Sequence, residues 1–296
     1  MNENKINSHI VGMGYYAPEN IIDNEYFTQF MDTSDEWITE RTGIKQRRFA
    51  NTGQGPADIS IPAVEMALKN AQLTVNDIDF IIFATSTPDY YIPGSGCILQ
   101  EKMNFPTIGA LDIRNACSGF IYAISIADQF IKNKTYKNIL VVTAEVQSTA
   151  MNLTNTGRDT SVIFADGAAA TILSATQQDE GILSTHLHSE GKYLKELWVE
   201  APSSKANPKL SQEIIDQEKH YLKMNGREVF KHAVKRFPEV IIEGLKHNNL
   251  DVNDIDLLIP HQANVRISKM IQKKLGLKDH QVVSNIHKYG NTTAAS

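Results

Sequence analysis

The amino-acid sequence predicts a layered α/β fold that is built from two similar halves. Apolar, β-rich runs alternate with helical stretches along the 296-residue chain, an order that is typical of sheets covered by helices. The second observation is an internal repeat, because residues 73–85 (LTVNDIDFIIFAT) and 250–262 (LDVNDIDLLIPHQ) are identical at seven of thirteen positions. Both copies predict a helix, an Asn-Asp turn and an apolar strand, which indicates a duplicated unit.

The elements of the first half follow from these patterns. Apolar runs predict strands at 8–14, 78–85, 107–113, 137–145 and 161–175. Amphipathic or uniformly apolar stretches predict helices at 58–71 and 118–133. We place the boundary between the halves near residue 175, which gives an N-terminal half of residues 1–175 and a C-terminal half of residues 176–296.

The second half is predicted to repeat the same order of elements. Its pattern indicates helices at 227–247 and 264–275, and strands at 255–261 and 281–286. Residues 199–213 (VEAPSSKANPKLSQE) are polar and contain two prolines, so they predict a loop between the halves.

The composition argues against several classes of function. The net charge of −5 and the pI near 6.0 argue against a nucleic-acid-binding protein, which normally carries a basic surface. No run approaches the roughly 18 apolar residues that a membrane-spanning helix needs, and the polar start MNENKINSH lacks the core of a signal peptide. Two cysteines without a CxxC pair predict neither a disulfide framework nor a structural zinc site. We therefore expect a cytoplasmic protein that binds neither nucleic acid nor membrane.

Cys117 is the first candidate for chemistry. It lies in DIRNACSGFIYA, between a predicted strand and a predicted helix, at or just before the first helical turn. The dipole and free N–H groups of a helix start stabilise a thiolate, so we expect a lowered pKa for this thiol. On position alone, an inert packed cysteine is the safer interpretation, because free cysteines are often buried. Cys97, in PGSGCILQ, lacks this junction and is interpreted as structural.

Two polar residues of the second half are further candidates. His261 ends the strand of the second repeat, where the first repeat has Ala84, and strand ends line the crevices in which α/β proteins bind ligands. Asn291 lies in a Tyr-Gly-Asn turn after a predicted strand. A hydrogen-bonded histidine at a sheet edge and an ordinary turn asparagine are the alternative interpretations.

Two other motifs are discounted. IVGMGYYAP matches the G-x-G-x-x-A pattern of dinucleotide-binding proteins, but Pro18 follows where a helix should begin. His186 and His188 alternate like neighbours on one face of a strand, with no third metal ligand evident from the sequence.

Three separated motifs, DIRNACSGFIYA, IPHQANVRI and YGNTTAAS, together resemble the active-site motifs of the β-ketoacyl-acyl-carrier-protein synthase III family. TSDEWITERTGIKQRR (33–48) and GRDTSVIFADGAAA (157–170) extend the resemblance along nearly the whole chain. The family belongs to the thiolase-like condensing enzymes. The resemblance therefore implies a thiolase-like α/β fold of two duplicated halves in an α-β-α-β-α arrangement, which agrees with the internal repeat.

The resemblance implies a catalytic triad of Cys117, His261 and Asn291. Cys117 would take an acyl group from an acyl-CoA, and a malonyl group on acyl carrier protein would then lose CO₂ and attack the acyl-enzyme. This decarboxylative Claisen condensation gives a β-ketoacyl product and initiates fatty acid biosynthesis. His261 and Asn291 would donate hydrogen bonds to the thioester oxygen. No metal and no tightly held cofactor are expected, because the malonyl carboxylate itself drives C–C bond formation and acyl-CoA is a substrate.

The resemblance also implies where the partners bind. The adenine of coenzyme A would lie between an aromatic ring and an arginine, at Trp37, Arg41 and Arg158. The residues expected to dock acyl carrier protein are Lys231, Arg266, Lys269, Lys273 and Lys274. From the residues alone, a core-edge tryptophan, solvated arginines and a solvated helix face are the alternatives. A homodimer is expected, in which residues 90–92 help to close the acyl pocket of the other subunit.

The sequence ends at Ser296, directly after the GNTTAAS motif, whereas members of the family continue for some tens of residues. The resemblance therefore implies a truncated second half that lacks its last strands and a glycine-rich loop, which would impair catalysis. Two other functions stay open: a secondary-metabolism homologue that transfers the acyl group to another acceptor, and a non-catalytic homologue that binds carrier protein.

Overall fold

Strands and helices alternate along residues 6–296, the part of the chain that this structure, a computed structural model, describes. The strands are β1 (Asn7–Tyr16), β2 (Asn20–Asp23), β3 (Gln46–Phe49), β4 (Phe80–Ala84), β5 (Gly109–Ile113), β6 (Asn138–Glu145), β7 (Gly167–Thr176), β8 (Leu197–Trp198) and β9 (Lys223–Met224). The helices are α1 (Glu25–Thr28), α2 (Asp35–Thr42), α3 (Pro56–Ala71), α4 (Ser95–Lys102), α5 (Gly119–Lys132), α6 (Arg158–Ser161), α7 (Gln212–Asp216), α8 (Gly226–His247), α9 (Val265–Leu275) and α10 (Ile286–Tyr289).

Five strands from the first half form one mixed sheet, in the order β1-β7-β6-β4-β5. β4 is parallel to both of its neighbours, so that Ile82 lies opposite Leu111 on one side and Val141 on the other. β7 runs antiparallel to β6 and to β1. Four of the five strands predicted for the first half are confirmed. Because β4, β5 and β6 are parallel, their carboxyl ends meet at the same edge of the sheet.

Helices α3 and α5 cover the two faces of this sheet. α3 packs on β1 so closely that a Cβ at Gly12 or Gly14 would collide with the carbonyl oxygens of Ala67 and Ala63. The G-x-G pattern is therefore a packing feature inside strand β1. On the opposite face, α5 buries its apolar side, including Ile131, against β4 and β6.

The strand predicted at 161–175 begins later than expected. Its first residue belongs to the short helix α6, and β7 begins only at Gly167. The Asp166 carboxylate interrupts the extended segment because it accepts hydrogen bonds from backbone N–H groups of two neighbouring loops. Phe164, just before it, forms an isolated bridge with Asn291. The residues that precede β7 therefore pair with the C-terminal part of the chain and not with the sheet.

Two long helices of the second half confirm their predictions. α8 and α9 begin and end within one residue of the predicted helices. α8 is 22 residues long, and its Asn225 N-cap accepts a hydrogen bond from the Glu228 N–H. No helix among residues 6–296 combines the length and the apolar character that crossing a bilayer requires.

The two strands predicted for the second half, at 255–261 and 281–286, are wrong. The two segments meet at one parallel bridge, between Leu258 and Val282. An apolar segment becomes a strand only when neighbours complete its hydrogen-bond ladder. Among the described residues the segment 255–261 has one bridged neighbour, and Leu257 and Ile259 are 51% and 72% exposed. The division into halves at residue 175 stays a prediction.

Candidate active site

Cys117 lies in the turn that joins β5 to α5. A short 3-10 turn that contains the cysteine runs directly into the helix, which is the junction that the sequence predicted. Ala116 has a φ of 44°, a left-handed conformation that costs an alanine about 1–2 kcal/mol. A Cβ at Gly119 would lie 3.1 Å from the Ala84 Cβ and 3.2 Å from the Ala294 Cβ. The end of β4, the start of α5 and the C-terminal turn therefore meet next to the cysteine.

Asn291 is held in place through its backbone. Its N–H donates to the carbonyl of Ile163 at 3.0 Å, and its carbonyl accepts from the N–H of Ala165 at 2.9 Å. Its side-chain oxygen accepts a hydrogen bond from the N–H of Thr293 at 2.8 Å. The amide nitrogen of the same side chain is therefore free to donate, and the Asn291 side chain acts to lower the pKa of the Cys117 thiol.

His261 lies in an irregular segment that its neighbour Gln262 anchors. The Gln262 amide donates to the Pro260 carbonyl at 2.7 Å, and its oxygen accepts from the Asn285 N–H at 3.0 Å. Neither ring nitrogen of His261 is open to solvent or has a hydrogen-bond partner of good geometry among the described residues. Burial lowers the pKa of His261 to about 4, although the backbone of Ser296 acts to raise it. The imidazole is therefore neutral at pH 7.

The C-terminal turn connects the three candidates. Residues Thr293–Ala295 pack on the turn that contains Cys117. The turn begins just after Asn291, and Ser296, which follows it, approaches His261. The structure thus brings the three residues to one place, and their assignment as a catalytic triad stays a prediction.

The Cys117 thiol does not have the lowered pKa that its position at a helix start predicts. The residue as a whole is half-buried, but its sulfur is enclosed by protein, and this desolvation raises the pKa of Cys117 to about 12. The charge of Glu145 acts in the same direction, whereas the Asn291 side chain acts to lower the pKa. A helix start contributes about 0.3–1 kcal/mol, and one pKa unit corresponds to about 1.4 kcal/mol. The prediction is wrong because burial outweighs the helix dipole, so the resting site holds a neutral thiol and a neutral imidazole.

Glu145 is a residue of this site that the motifs did not indicate. It ends strand β6, is fully buried and accepts hydrogen bonds from Ser86, Thr87 and Gln147. Burial raises the pKa of this carboxyl to about 7, although the donors of Ser86 and Thr87 act to lower it. A signal was present in NILVVTAE, where the one charged residue ends an otherwise mostly apolar strand.

Trp37, Arg41 and Arg158 come together, as the resemblance implied. The guanidinium carbons of Arg41 and Arg158 lie 4.4 Å and 4.6 Å from the centroid of the Trp37 ring. Trp37 and Arg41 are one turn apart on α2, while Arg158 begins α6 and donates to the carbonyl of Asp32 at 2.9 Å. An indole face with two guanidinium groups over it suits a planar ring with anionic groups attached, and the role of this cluster in binding coenzyme A stays a prediction.

The predicted docking residues form an exposed basic surface on two packed helices. Arg266, Lys269, Lys273 and Lys274 are exposed on α9, and Lys231 is exposed on α8. None of the four on α9 forms an ion pair within residues 6–296, whereas Lys231 lies 3.4 Å from Glu228. At the start of α9, Asn264 donates to the carbonyl of Arg41 at 2.9 Å. The basic surface therefore adjoins the cluster around Trp37.

His186 and His188 share a partner that the sequence did not reveal. His186 Nδ1 and His188 Nε2 lie 3.1 Å and 2.7 Å from the two carboxylate oxygens of Glu243 on α8. The pairing lowers the pKa of Glu243. Among the described residues, no group of three or more His, Cys, Asp or Glu side chains has the arrangement of a metal site.

The arrangement around Cys117 contains the parts that acyl transfer requires. A thiol becomes a strong nucleophile once its proton is removed, and a neutral imidazole can accept that proton. The Asn291 amide and the backbone N–H of Cys117 are donors that can hold an oxyanion. Enclosure by protein strengthens these interactions, since water does not compete for them.

Comparison with known proteins agrees with this chemistry. The family model described as 3-oxoacyl-[acyl-carrier-protein (ACP)] synthase III matches residues 111–191, and the model of its C-terminal part matches residues 245–296. Among similar curated proteins, the β-ketoacyl-[acyl-carrier-protein] synthase III of Clostridioides difficile (strain 630) is 44% identical over 287 residues. That match covers 97% of this chain and 86% of the relative.

Solved structures share the fold. The 3-oxoacyl-[acyl-carrier-protein] synthase III of Aquifex aeolicus VF5 matches with a TM-score of 0.88 at 39% identity, over 98% of this chain and 87% of that one. The synthase III of Thermus thermophilus matches with a TM-score of 0.89 at 34% identity, over 97% and 87% of the two chains. The prediction of a thiolase-like α/β fold is thereby confirmed.

The raised thiol pKa predicts how Cys117 reacts with iodoacetamide. In Cys97→Ser, which removes the exposed cysteine of α4 and leaves Cys117 as the only one, the rate should rise steadily with pH. We expect about a tenfold rise per pH unit from about pH 7.5 to about pH 9.5, because the thiolate fraction grows tenfold per unit below the pKa. Mass spectrometry of the intact protein gives the rate.

The same variant unfolded in urea is the control for this measurement. An unfolded cysteine has a pKa of about 8.5, so its alkylation rate should level off near about pH 9. A folded protein whose rate levels off below about pH 8 would contain an activated thiolate and would contradict the neutral resting state.

Proposed function

The chain belongs to the β-ketoacyl-acyl-carrier-protein synthase III family, and we propose that Cys117, His261 and Asn291 carry out the reaction of that family. The protein is a condensing acyltransferase that initiates fatty acid biosynthesis by joining an acyl group from acyl-CoA to malonyl-acyl carrier protein. One observation carries the residue assignment: a single turn, Thr293–Ala295, borders an enclosed thiol, a neutral histidine and a donating asparagine amide.

In the first step the acyl group moves from coenzyme A to Cys117. The sulfur attacks the thioester carbonyl as His261 accepts the thiol proton, so that no free thiolate has to form in the enclosed site. The tetrahedral oxyanion is held by N–H donors at the start of α5. The bond between the carbonyl carbon and the coenzyme A sulfur then breaks, and His261 returns the proton to the leaving thiolate.

In the second step the malonyl group supplies the carbon nucleophile. Loss of CO₂ breaks a C–C bond and moves its electron pair onto the thioester oxygen, where a neutral His261 N–H and the Asn291 amide donate hydrogen bonds. The resulting carbanion attacks the acyl-cysteine carbonyl, the bond from that carbon to the Cys117 sulfur breaks, and the leaving thiolate takes a proton from solvent to restore the neutral thiol. We propose no metal and no resident cofactor, because the leaving carboxylate itself drives C–C bond formation.

Coenzyme A is proposed to bind at the cluster of Trp37, Arg41 and Arg158. Both guanidinium groups lie over the indole, and a planar adenine would displace one of them so that it lies between the ring and that arginine. The remaining arginine would face the phosphate groups, for which a guanidinium is a favourable donor.

A homodimer in the cytoplasm is part of the proposal. Tyr90, Tyr91 and Ile92 are 63%, 59% and 81% exposed, and such an apolar group on a loop is suited to contact with a second subunit. A reducing cytoplasm keeps the Cys117 thiol available for acylation.

Incubation with a panel of acyl-CoAs, followed by intact-mass measurement, tests the proposed function. We expect a mass increase of one acyl group that is lost in Cys117→Ala and retained in Cys97→Ser. His261→Ala and Asn291→Ala should lower CO₂ release from malonyl-carrier protein about 100-fold or more, because each removes a donor to the developing oxyanion. A full panel that leaves the mass unchanged, or an acyl group on Cys97, would overturn the assignment.

Charge reversal tests the docking surface. Lys269→Glu/Lys273→Glu should raise KM for malonyl-carrier protein about tenfold and leave self-acylation from acyl-CoA unchanged, since complementary charge mainly guides association. Lys69→Glu/Lys137→Glu is the matched control, because these exposed lysines precede β4 and β6 at the opposite edge of the sheet. Equal KM values for the two double variants would contradict docking on α9.

A further inference from the structure

Glu145 is a buried carboxylate next to the proposed nucleophile, and it has no cationic partner. The residue is 0% exposed, and no Lys, Arg or His within residues 6–296 forms an ion pair with it. Burying a carboxylate without a counter-ion is expensive, which is why the pKa of Glu145 rises to about 7 and why hydrogen bonds must replace the lost water. A group that is so costly to bury, at the site where the chemistry is proposed, calls for a specific role.

Neutral donors surround both oxygens of this carboxylate. Oε1 accepts from the backbone N–H of Ser86 at 3.0 Å and from its hydroxyl at 2.9 Å. Oε2 accepts from the hydroxyls of Thr87 at 2.7 Å and Thr85 at 3.5 Å. The amide of Gln147 also donates to Oε2, at 3.4 Å. Glu145 is therefore held by the residues that follow β4. Its hydrogen bond from Gln147 is the contact that leads toward the C-terminal turn.

Gln147 extends this network to Asn291. The same amide nitrogen of Gln147 donates to the Thr293 hydroxyl at 3.0 Å, and the Thr293 N–H donates to Asn291 Oδ1 at 2.8 Å. Thr293 has a φ of 55°, which is unfavourable for a β-branched residue, so surrounding contacts must hold this conformation. Three hydrogen bonds thus connect Glu145 with the side-chain oxygen of Asn291.

Few charged groups face Glu145 from the elements that pack around it. The residues after β4 supply hydroxyls, and the side chains of the turn Thr293–Ala295 consist of one hydroxyl and three methyl groups. The titratable groups of the site are the Cys117 thiol, whose pKa the charge of Glu145 raises, and His261 beside Ser296. Glu145 therefore acts on Cys117 in two ways: directly through its charge, and indirectly through the hydrogen bonds that connect it with Asn291.

We propose that Glu145 is a positioning residue that acts through Gln147 and Thr293 to hold the Asn291 amide in the orientation that faces Cys117. The inference rests on the proposed function, in which Asn291 donates to the thioester oxygen during condensation. A rotated amide would direct its oxygen at the developing enolate and would repel the charge. Loss of the network should therefore slow condensation more than self-acylation.

Two variants remove the same hydrogen bond from opposite ends. Gln147→Leu deletes the amide donor, and Thr293→Val deletes the acceptor hydroxyl while keeping the side-chain shape. We expect each to lower kcat for CO₂ release about tenfold, with KM within about twofold of the parent and self-acylation slowed by no more than about threefold. The kcat of the double variant should equal that of the more affected single variant, because all three variants lack the same hydrogen bond between residues 147 and 293.

Alkylation of Cys117 in the Cys97→Ser background gives a readout that does not depend on turnover. Because the Asn291 side chain acts to lower the pKa of Cys117, Gln147→Leu and Thr293→Val should slow alkylation at about pH 8.5 about threefold. Glu145→Gln should change the rate in the opposite direction, about tenfold faster, since it removes a negative charge near the thiol and keeps the shape of the side chain.

Asp128→Asn is the matched control for a purely structural effect. Asp128, on α5, is another buried carboxylate, 1% exposed. It accepts a hydrogen bond from Ser8 on β1 and forms an ion pair with Lys132, one turn further along α5. Its loss should lower the thermal stability and leave the alkylation profile unchanged. A drop in melting temperature alone would therefore not account for changes at Cys117.

The outcomes separate this inference from the proposed function. If the parent protein turns over and both Gln147→Leu and Thr293→Val keep its kcat and alkylation rate, Glu145 does not position Asn291 and the inference fails. Equal losses in acylation and condensation contradict it as well. If the parent takes no acyl group, the proposed function fails, and unchanged alkylation in the two variants would then overturn the inference by itself.

Discussion

Two backbone hydrogen bonds between Asn291 and the segment before β7 are the contact on which the site depends. They join the N–H of Asn291 to the Ile163 carbonyl and the Ala165 N–H to the Asn291 carbonyl, at 3.0 Å and 2.9 Å. Because both bonds use backbone atoms, they hold the start of the C-terminal turn without a contribution from any side chain. The turn Thr293–Ala295 can then pack against Cys117 while Ser296 approaches His261.

Enclosure by this turn determines the chemistry as much as the identity of the residues does. Removal of water raises the pKa of the Cys117 thiol to about 12 and lowers the pKa of the His261 imidazole to about 4. Both groups are then neutral at pH 7, and a charge appears only when a substrate supplies the electrons. A neutral histidine can accept the thiol proton in the first step and donate a hydrogen bond to the enolate in the second. An imidazolium has no free lone pair on its ring nitrogens and could not accept the thiol proton in the first step.

The sequence predicted most of the first half, and also the location of its cysteine, because local patterns determine these features. Apolar runs and helical periodicity indicated β4, β6, α3 and α5, and the internal repeat drew attention to His261, where the first copy has Ala84. The strand expected at 255–261 failed because a strand depends on its neighbours and not only on its own residues. The prediction of a lowered pKa for Cys117 failed for a similar reason, since burial is a property of the folded chain.

Glu145 shows the same limit for the functional site. Its position at the end of an apolar strand was visible in the sequence, but its partners come from residues 85–87, Gln147 and, through Gln147, the C-terminal turn. Only the parallel pairing of β4 with β6 places those residues side by side. A network assembled from three distant parts of the chain leaves no local motif.

The charge state of His261 is the most direct test of a site that holds a neutral thiol and a neutral imidazole. Nitrogen-15 NMR of protein labelled at its nine histidines resolves neutral from protonated rings, and the His261→Ala spectrum identifies the signal of interest. We expect the His261 nitrogens to keep the shifts of a neutral imidazole from about pH 5.5 to about pH 8.5. An imidazolium signal at neutral pH, or a titration centred near about pH 6.5, would contradict a neutral thiol–imidazole site.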